Sequence, residues 1–287
     1  VNILNEALSG IRTRFKGREM PSVLERYEMK YLIPVSMIDD IIGFVRPYCE
    51  FDAYSTIEKE GFYVINSLYF DTPSFLFLRQ RLNKVENRFN MRIRSYGENP
   101  KPPYFLEIKQ RKSDIVRKFR APAYQADVGK LFSSPAASDA GEENVQQNAN
   151  RDLFLRLAAM YGARPVVLLQ YRRKALFSMH DEYARVTFDI ALRYMTPEAF
   201  SVMPRESTMH PCDTESDPNT GAMTILELKC YTTHVPIWMV DLIRAFQLKR
   251  RGFSKYATCV SPLIARHNAG AMLHSLGDRL YTGEDID

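Results

Sequence analysis

The sequence predicts an α+β protein built on a largely antiparallel sheet or barrel. Three observations point there: many short segments alternate between charged and apolar residues, few long helical patterns separate them, and the charges recur on one face of strand after strand. The segments are Leu24–Ile33, Phe89–Tyr96, Tyr104–Arg111, Val166–Phe177, Tyr183–Leu192 and Thr224–Tyr231, joined by the uncharged, Tyr/Val/Ile-rich Phe62–Phe70. Helices are expected after Pro34-Val-Ser36, where Ile38, Ile41, Ile42 and Val45 fall at helical spacing. Others are expected after Thr72-Pro73, read as N-cap and first turn, and at Asn150–Tyr161 and Val235–Leu248. Residues 1–21 read as an N-terminal arm or docking helix carrying Arg12, Arg14, Lys16 and Arg18. Polar stretches near 133–150 and 203–221 read as loop insertions within one domain, 22–265, because charged strands of one type flank both; 266–287 form a C-terminal tail.

Composition narrows the function classes. The 287 residues are 45% hydrophobic and 25% charged, too apolar for a wholly disordered chain. A net charge of +5 is mild, so where the charges sit matters more than their sum. The four cysteines form no Cys-x-x-Cys pair and read as reduced and structural, with neither a zinc site nor a disulfide framework suggested. The five histidines are scattered, and neither His-Glu-x-x-His nor Gly-x-Ser-x-Gly occurs, which removes zincin and α/β-hydrolase readings. No apolar run approaches the ~20 residues of a membrane span, and the stretch to Met20 is too polar for a signal peptide. A cytoplasmic location is expected, with any membrane reached through a partner protein.

Strand residues two apart share a face. In Arg26-Tyr-Glu28-Met-Lys30-Tyr31 one face carries Arg, Glu and Lys, the other Tyr27, Met29 and Tyr31. The pattern returns in Arg92-Ile-Arg94, Glu107-Ile-Lys109, Lys118-Phe-Arg120, Tyr171-Arg-Arg173, Arg185-Val-Thr187-Phe-Asp189 and Glu227-Leu-Lys229. A solvated sheet face would mix in Thr, Ser and Gln. Like-signed neighbours such as Arg92 with Arg94 repel and do not help folding, whereas a shared polyanion explains them. If the sheet closes on itself, its charged faces line a tunnel able to bind a string of phosphates. Glu28, Glu107 and Glu227 are then candidates to hold a divalent metal. Phosphoryl transfer in such a site is mainly positioning and charge neutralisation. Nucleic acid is disfavoured, since the aromatic residues alternate away from the basic ones instead of sharing their face.

These residues resemble a known family. Arg26-x-Glu28-x-Lys30-Tyr31, Ser67-Leu-Tyr69-Phe70-Asp71-Thr72-Pro73, Arg92-Ile-Arg94-x-Tyr96-Gly97, Glu107-x-Lys109, Tyr171-x-Arg173, Arg185-x-Thr187-x-Asp189, Leu226-Glu227-x-Lys229 and Phe253-Ser254-Lys255-Tyr256 occur in the order seen in the VTC domain. This is the polyphosphate polymerase domain of the vacuolar transporter chaperone family, within the CYTH-like triphosphate tunnel metalloenzymes. The resemblance implies an eight-stranded antiparallel β tunnel, a closed barrel with a charged interior flanked by helices. It implies transfer of the terminal phosphoryl group of ATP to a growing inorganic polyphosphate chain with Mn²⁺ or Mg²⁺, and possible work beside a membrane protein. By motif, Lys30, Arg92, Arg94, Lys109, Arg173, Arg185, Lys229 and Lys255 would contact phosphates. Lys118 and Arg120 would supply the next basic strand, with Arg117 as an alternative register, while Glu227, with Glu28, would hold the metal. A Lys-Phe-Ser-Lys of fungal polymerases reads Gly252-Phe253-Ser254-Lys255 here, with Arg251 or Lys249 able to replace the missing charge. The alternatives are a metal-dependent tripolyphosphatase or nucleoside triphosphatase, and a non-catalytic polyphosphate- or inositol-phosphate-binding module.

Outside that set, Tyr96 and Tyr171 read as packing or hydrogen-bonding groups and Trp238 as core. Asp71-Thr72-Pro73 reads as a strand-to-helix turn, Asp189 as the orienter of an arginine such as Arg185 in preference to a part in metal binding, and Lys249, Arg250 and Arg251 as a solvated helix end in preference to guards of the tunnel mouth.

Overall fold

The computed structural model of the chain describes residues 26–112, 115–133, 145–181, 183–212, 223–231 and 234–267. The expected arm at 1–21, most of the tail from 266, and parts of both loop insertions lie outside the described residues. The described strands are β1 Arg26–Pro34, β2 Cys49–Phe51, β3 Tyr63–Asp71, β4 Asn87–Tyr96, β5 Tyr104–Lys112, β6 Ile115–Ala123, β7 Arg164–Ser178, β8 Arg185–Met195, β9 His210–Pro211 and β10 Met223–Tyr231. The helices are α1 Met37–Val45, α2 Ala53–Ile57, α3 Leu76–Leu82, α4 Lys130–Ser133, α5 Val145–Tyr161, α6 Ile237–Ala245 and α7 Lys255–His267.

All strands join one antiparallel sheet in the order β1-β10-β8-β7-β3-β4-β5-β6, with β2 beside β7 and β9 beside β8. The expected eight-stranded closed barrel is therefore corrected: among the described residues the sheet has ten strands, and β1 and β6 do not pair. Other groups occupy the two edges. Tyr31 of β1 bridges to Arg250, and the Arg251 amide donates to the Lys30 carbonyl at 2.9 Å. On β6, Pro122 has no amide to offer, and the Asn150 side chain of α5 donates to the Arg120 carbonyl at 3.0 Å.

The open sheet nonetheless curls. From β1 to β5 there are six strand intervals, about 29 Å if laid flat at ~4.8 Å each. Yet Lys109 of β5 meets Glu28 of β1 at 2.5 Å, which only a strongly rolled sheet permits.

Apolar residues on the convex face drive the outer packing. Leu226, Leu228, Val186 and Phe188 bury against Ile38 and Ile41 of α1 and Trp238, Met239 and Leu242 of α6. Leu68, Phe70, Ile93, Leu106 and Ile108 bury against Phe77 of α3, Leu131 of α4 and Phe154 and Ala158 of α5. The hydrophobic effect thus fixes the charged residues on the other, concave face. One end of that face is itself apolar. There Val167, Leu169 and Tyr69 pack under Tyr256, Val260 and Leu263 of α7, and Cys259 of α7 lies 3.0 Å from Cys212, sulfur to sulfur.

Local differences have physical causes. Helix α5 starts at Val145, inside the stretch expected to be loop, because its first turns are solvated and carry no apolar stripe. Helix α3 is capped by the Asp71 carboxylate, which accepts from the Phe77 and Leu78 amides at 2.9 Å each, while Thr72 Oγ1 accepts from Leu76.

Candidate functional site

Cross-strand register shows why the charged residues share a surface, since residues directly opposite on paired strands lie on one face. One ladder runs Glu28, Lys229, Arg185; the next runs Lys30, Glu227, Thr187. Arg173 opposes Asp189 across β7 and β8, and Tyr69, Arg92, Glu107 and Arg120 align across β3 to β6. Lys109 opposes Lys118 in the same phase. Lys255 arrives from the first residue of α7, an element the sequence pattern did not disclose.

The side chains form two charge clusters. In the first, Glu227 lies 3.1 Å from Lys229, 3.9 Å from Lys30 and 4.0 Å from Arg173. Asp189 accepts two bonds from Arg173 at 2.6 and 2.7 Å and pairs with Lys255 at 2.6 Å. Lys30 also donates to the Phe253 carbonyl at 3.0 Å. In the second, Glu107 gathers Arg92 and Lys118 at 2.7 Å each, Arg120 at 3.5 Å and Arg94 at 3.8 Å. Tyr171 joins the clusters: its hydroxyl accepts from Arg94 at 3.2 Å, and Lys255 and Arg173 lie over its ring.

Glu107, Asp189 and Glu227 are each no more than 5% exposed, so their charges act at low dielectric. Burial alone would raise the Glu227 carboxyl, but Lys229 and Lys30 hold it well below the usual carboxylate range. Burial likewise opposes ionisation of Glu107, and Arg94 and Arg92 override it. Glu28 is held at about 2 against the effect of burial, chiefly by Lys109 and Lys229. Lys30 moves the other way: burial pushes it down to about 8 although Glu227 resists. Lys255 stays raised despite burial because Asp189 and Tyr171 favour its charge. Ten Lys and Arg side chains of the face, with Lys118 and Arg120 counted, meet five carboxylates when Asp52 is included, a formal excess of five positive charges, although burial, with Arg94 and Arg92 nearby, pushes the Lys118 ammonium well below its ordinary value against the pull of Glu107. Such an excess in a concavity focuses the field that attracts an anion.

The expected residues thus fall on one face, though not in one cluster. Lys30, Arg173, Lys229, Lys255 and Glu227 gather in the first; Arg92, Arg94, Lys118 and Arg120 gather in the second; Lys109 and Glu28 pair across the opening. Arg185 turns toward Asp52 at 3.4 Å, and Asp189 orients Arg173 and Lys255 instead of Arg185. Glu107, one of the three acidic candidates for metal binding, is the hub of the second cluster. Asp52 was missed: it caps α2 through the Ser55 amide and accepts from the Tyr63 hydroxyl, and its only sequence signal was Asp one residue before a helix.

Mg²⁺ and Mn²⁺ in phosphoryl-transfer sites take one or two carboxylates and complete their shell with substrate oxygens and water. Among the described residues no three His, Cys, Asp or Glu gather as a cage. Glu28 and Glu227 are diagonal neighbours on paired strands, and each disfavours the other's ionisation. That donor set fits a cation shared with phosphate and does not fit an all-protein site.

Residues 25–264 match the family model described as the VTC domain. The vacuolar transporter chaperone complex subunit 4 of Trypanosoma brucei brucei is 23% identical over 277 residues, covering 84% of this chain and 35% of that protein. The chain therefore spans little more than a third of the curated relative it matches. Among solved structures, a candidate adenylate cyclase from Bacillus halodurans has a TM-score of 0.46 at 12% identity, covering 82% of this chain and 96% of its own. A protein of Pyrococcus horikoshii OT3 has 0.41 at 13%, covering 84% and 99%. These structural likenesses are distant and transfer no chemistry. No helix among the described residues is long and apolar enough to cross a membrane.

Proposed function

The chain belongs to the VTC domain family, and from that premise we propose that it is a polyphosphate polymerase, moving the terminal phosphoryl group of ATP onto a growing inorganic polyphosphate chain. The observation that carries the reading is the gathering of ten Lys and Arg side chains on one rolled sheet face around buried carboxylates that hold them in place. Arginine forks suit phosphate oxygens, and lysines add mobile point charges. With no displaceable protein nucleophile required, catalysis consists of aligning donor phosphate with acceptor chain end and neutralising charge as it shifts.

In this reading Arg173 and Lys255, fixed by Asp189, and Arg92 and Arg94, fixed by Glu107, grip neighbouring phosphates along the face. Lys30, Lys109, Arg185, Lys229, Lys118 and Arg120 extend the same grip. Glu227, with Glu28, would hold Mn²⁺ or Mg²⁺, which would supply neutralisation of phosphate charge. Residues 22–265 are the working unit in this reading. The named relative is a subunit of a complex, which supports a protein partner and, through it, a membrane location.

Incubation of purified protein with ATP and Mn²⁺ or Mg²⁺ tests the proposal. Polyphosphate with ADP supports it, ADP with orthophosphate alone replaces it with the hydrolase, and no turnover replaces it with the binding module.

A further inference from the structure

Asp71 ends β3 in the motif Ser67-Leu-Tyr69-Phe70-Asp71-Thr72-Pro73, touches no cation among the contacts described, and is fully buried. Its Oδ1 accepts from the Thr72 and Phe77 amides at 2.7 and 2.9 Å, and its Oδ2 accepts from the Leu78 amide at 2.9 Å. Capping α3 accounts for the Phe77 and Leu78 bonds, and the Thr72 bond closes the turn that leads into the helix. The fourth comes from far along the chain: the Tyr256 hydroxyl donates to Oδ2 at 2.5 Å. A helix cap does not need that bond, and burial of a tyrosine hydroxyl against a carboxylate is costly unless the pair is well made.

Tyr256 stands where two routes to the charged face begin. Its neighbour Lys255 pairs with Asp189 at 2.6 Å, inside the first cluster. Its ring stacks on Tyr69 at 5.0 Å and 16°, and the Tyr69 hydroxyl accepts from Arg92 at 2.9 Å, inside the second cluster. Asp71 thereby ties one rigid point, the start of α3, to a cation in each cluster.

We propose that Asp71, acting through Tyr256, is a positioning residue that sets the spacing between Lys255 and Arg92 and so lets one phosphate chain engage both clusters. The inference rests on the phosphate-chain reading of the site. Without the tie, α7 keeps its apolar seat on Val167 and Leu169, but its first turn and the Tyr69 ring lose their common anchor.

Tyr256→Phe is the cleanest test, since it deletes the hydroxyl and keeps the stacked ring; Asp71→Asn is the companion variant. Tripolyphosphate is titrated calorimetrically into metal-free protein, pyrophosphate serves as the shorter probe, and thermal midpoints report folding. Tyr256→Phe is expected to weaken tripolyphosphate roughly tenfold, the order of a charge-assisted hydrogen bond, and pyrophosphate far less, because a short anion needs one cluster only. In a Lys255→Ala background the same substitution should cost much less, the non-additivity expected of groups that act through one another. A loss equal for both probes, or a loss fully additive with Lys255→Ala, overturns the positioning role and leaves general structural damage. Unchanged affinity overturns it while leaving the phosphate reading intact. Wild-type protein that binds no tripolyphosphate overturns both.

Discussion

Lys30 gives the sharpest quantitative expectation. Burial holds it at about 8 in the empty protein, against an ordinary 10.5, so the ammonium is strained toward losing its proton. A phosphate chain beside it favours the charged form, and binding should then draw protons from solvent. With the group at about 8, the fraction to be refilled is about 0.1 proton at pH 7, about 0.5 at pH 8 and about 0.9 at pH 9. Tripolyphosphate is titrated at each pH in two buffers of different ionisation enthalpy, into wild type and Lys30→Arg. Arginine stays charged throughout, so subtracting the variant removes the protons exchanged by the ligand itself. The difference should climb from pH 7 to pH 9. A difference that is flat, or near zero at pH 9, refutes the placement of Lys30 against bound phosphate. Because the folded value lies below the unfolded one, Lys30 also subtracts stability below about pH 8 and ceases to do so as pH rises toward 10.5.

Other substitutions separate binding, turnover and stability. Glu227→Gln keeps the shape but removes the charge a hard cation prefers, so turnover of ATP should fall at least about a hundredfold while tripolyphosphate still binds; parent-rate turnover would dismiss Glu227 as a metal ligand. Asp189→Asn strands Arg173 and Lys255, which meet it at 2.6 to 2.7 Å, and should cost about 3–5 kcal/mol in urea unfolding without ligand; a loss within 0.5 kcal/mol, about the effect of an ordinary surface change, would contradict the buried pairing. The Glu28 carboxyl is lowered from 4.5 to about 2, so its share of stability is present above 4.5 and lost as pH falls toward 2. In Lys109→Met that acid loss should shrink and be complete nearer 4.5 than 2, read from urea midpoints across pH 2 to 6, and an unchanged profile would remove Lys109 as the partner.

Alternation made the charged face legible. Arg92 with Arg94, and Glu227 with Lys229, announce one-sided strands in the sequence itself, and the register then adds their neighbours without further information. What alternation does not encode is who occupies an edge. The β1 edge is taken by the backbone of Arg250 and Arg251, a segment read from sequence as a solvated helix end, so a closed barrel was the wrong extrapolation. Partner choice was equally hidden: Asp189 and Arg185 are close in sequence, yet the facing strand places Arg173 opposite Asp189, and Asp52 from a helix cap takes Arg185. Helix α7 escaped notice because Pro262 interrupts its pattern and its apolar residues seat on a mostly charged face. Tyr171, read as a packing or hydrogen-bonding group, is that and also the bridge between the clusters.

Convergence of the two clusters on a single chain of phosphates is tested most directly by calorimetric titration of phosphate, pyrophosphate and tripolyphosphate into the metal-free protein at several salt concentrations. Each further phosphate that meets a cation should tighten binding about tenfold or more, since charge-assisted contacts contribute about 1.5–3 kcal/mol less the cost of desolvation. Added salt should weaken the longest ligand most, and Arg94→Ala should narrow the step between pyrophosphate and tripolyphosphate. Equal affinity for all three would mean that the charged faces do not meet on one ligand, and would contradict the account.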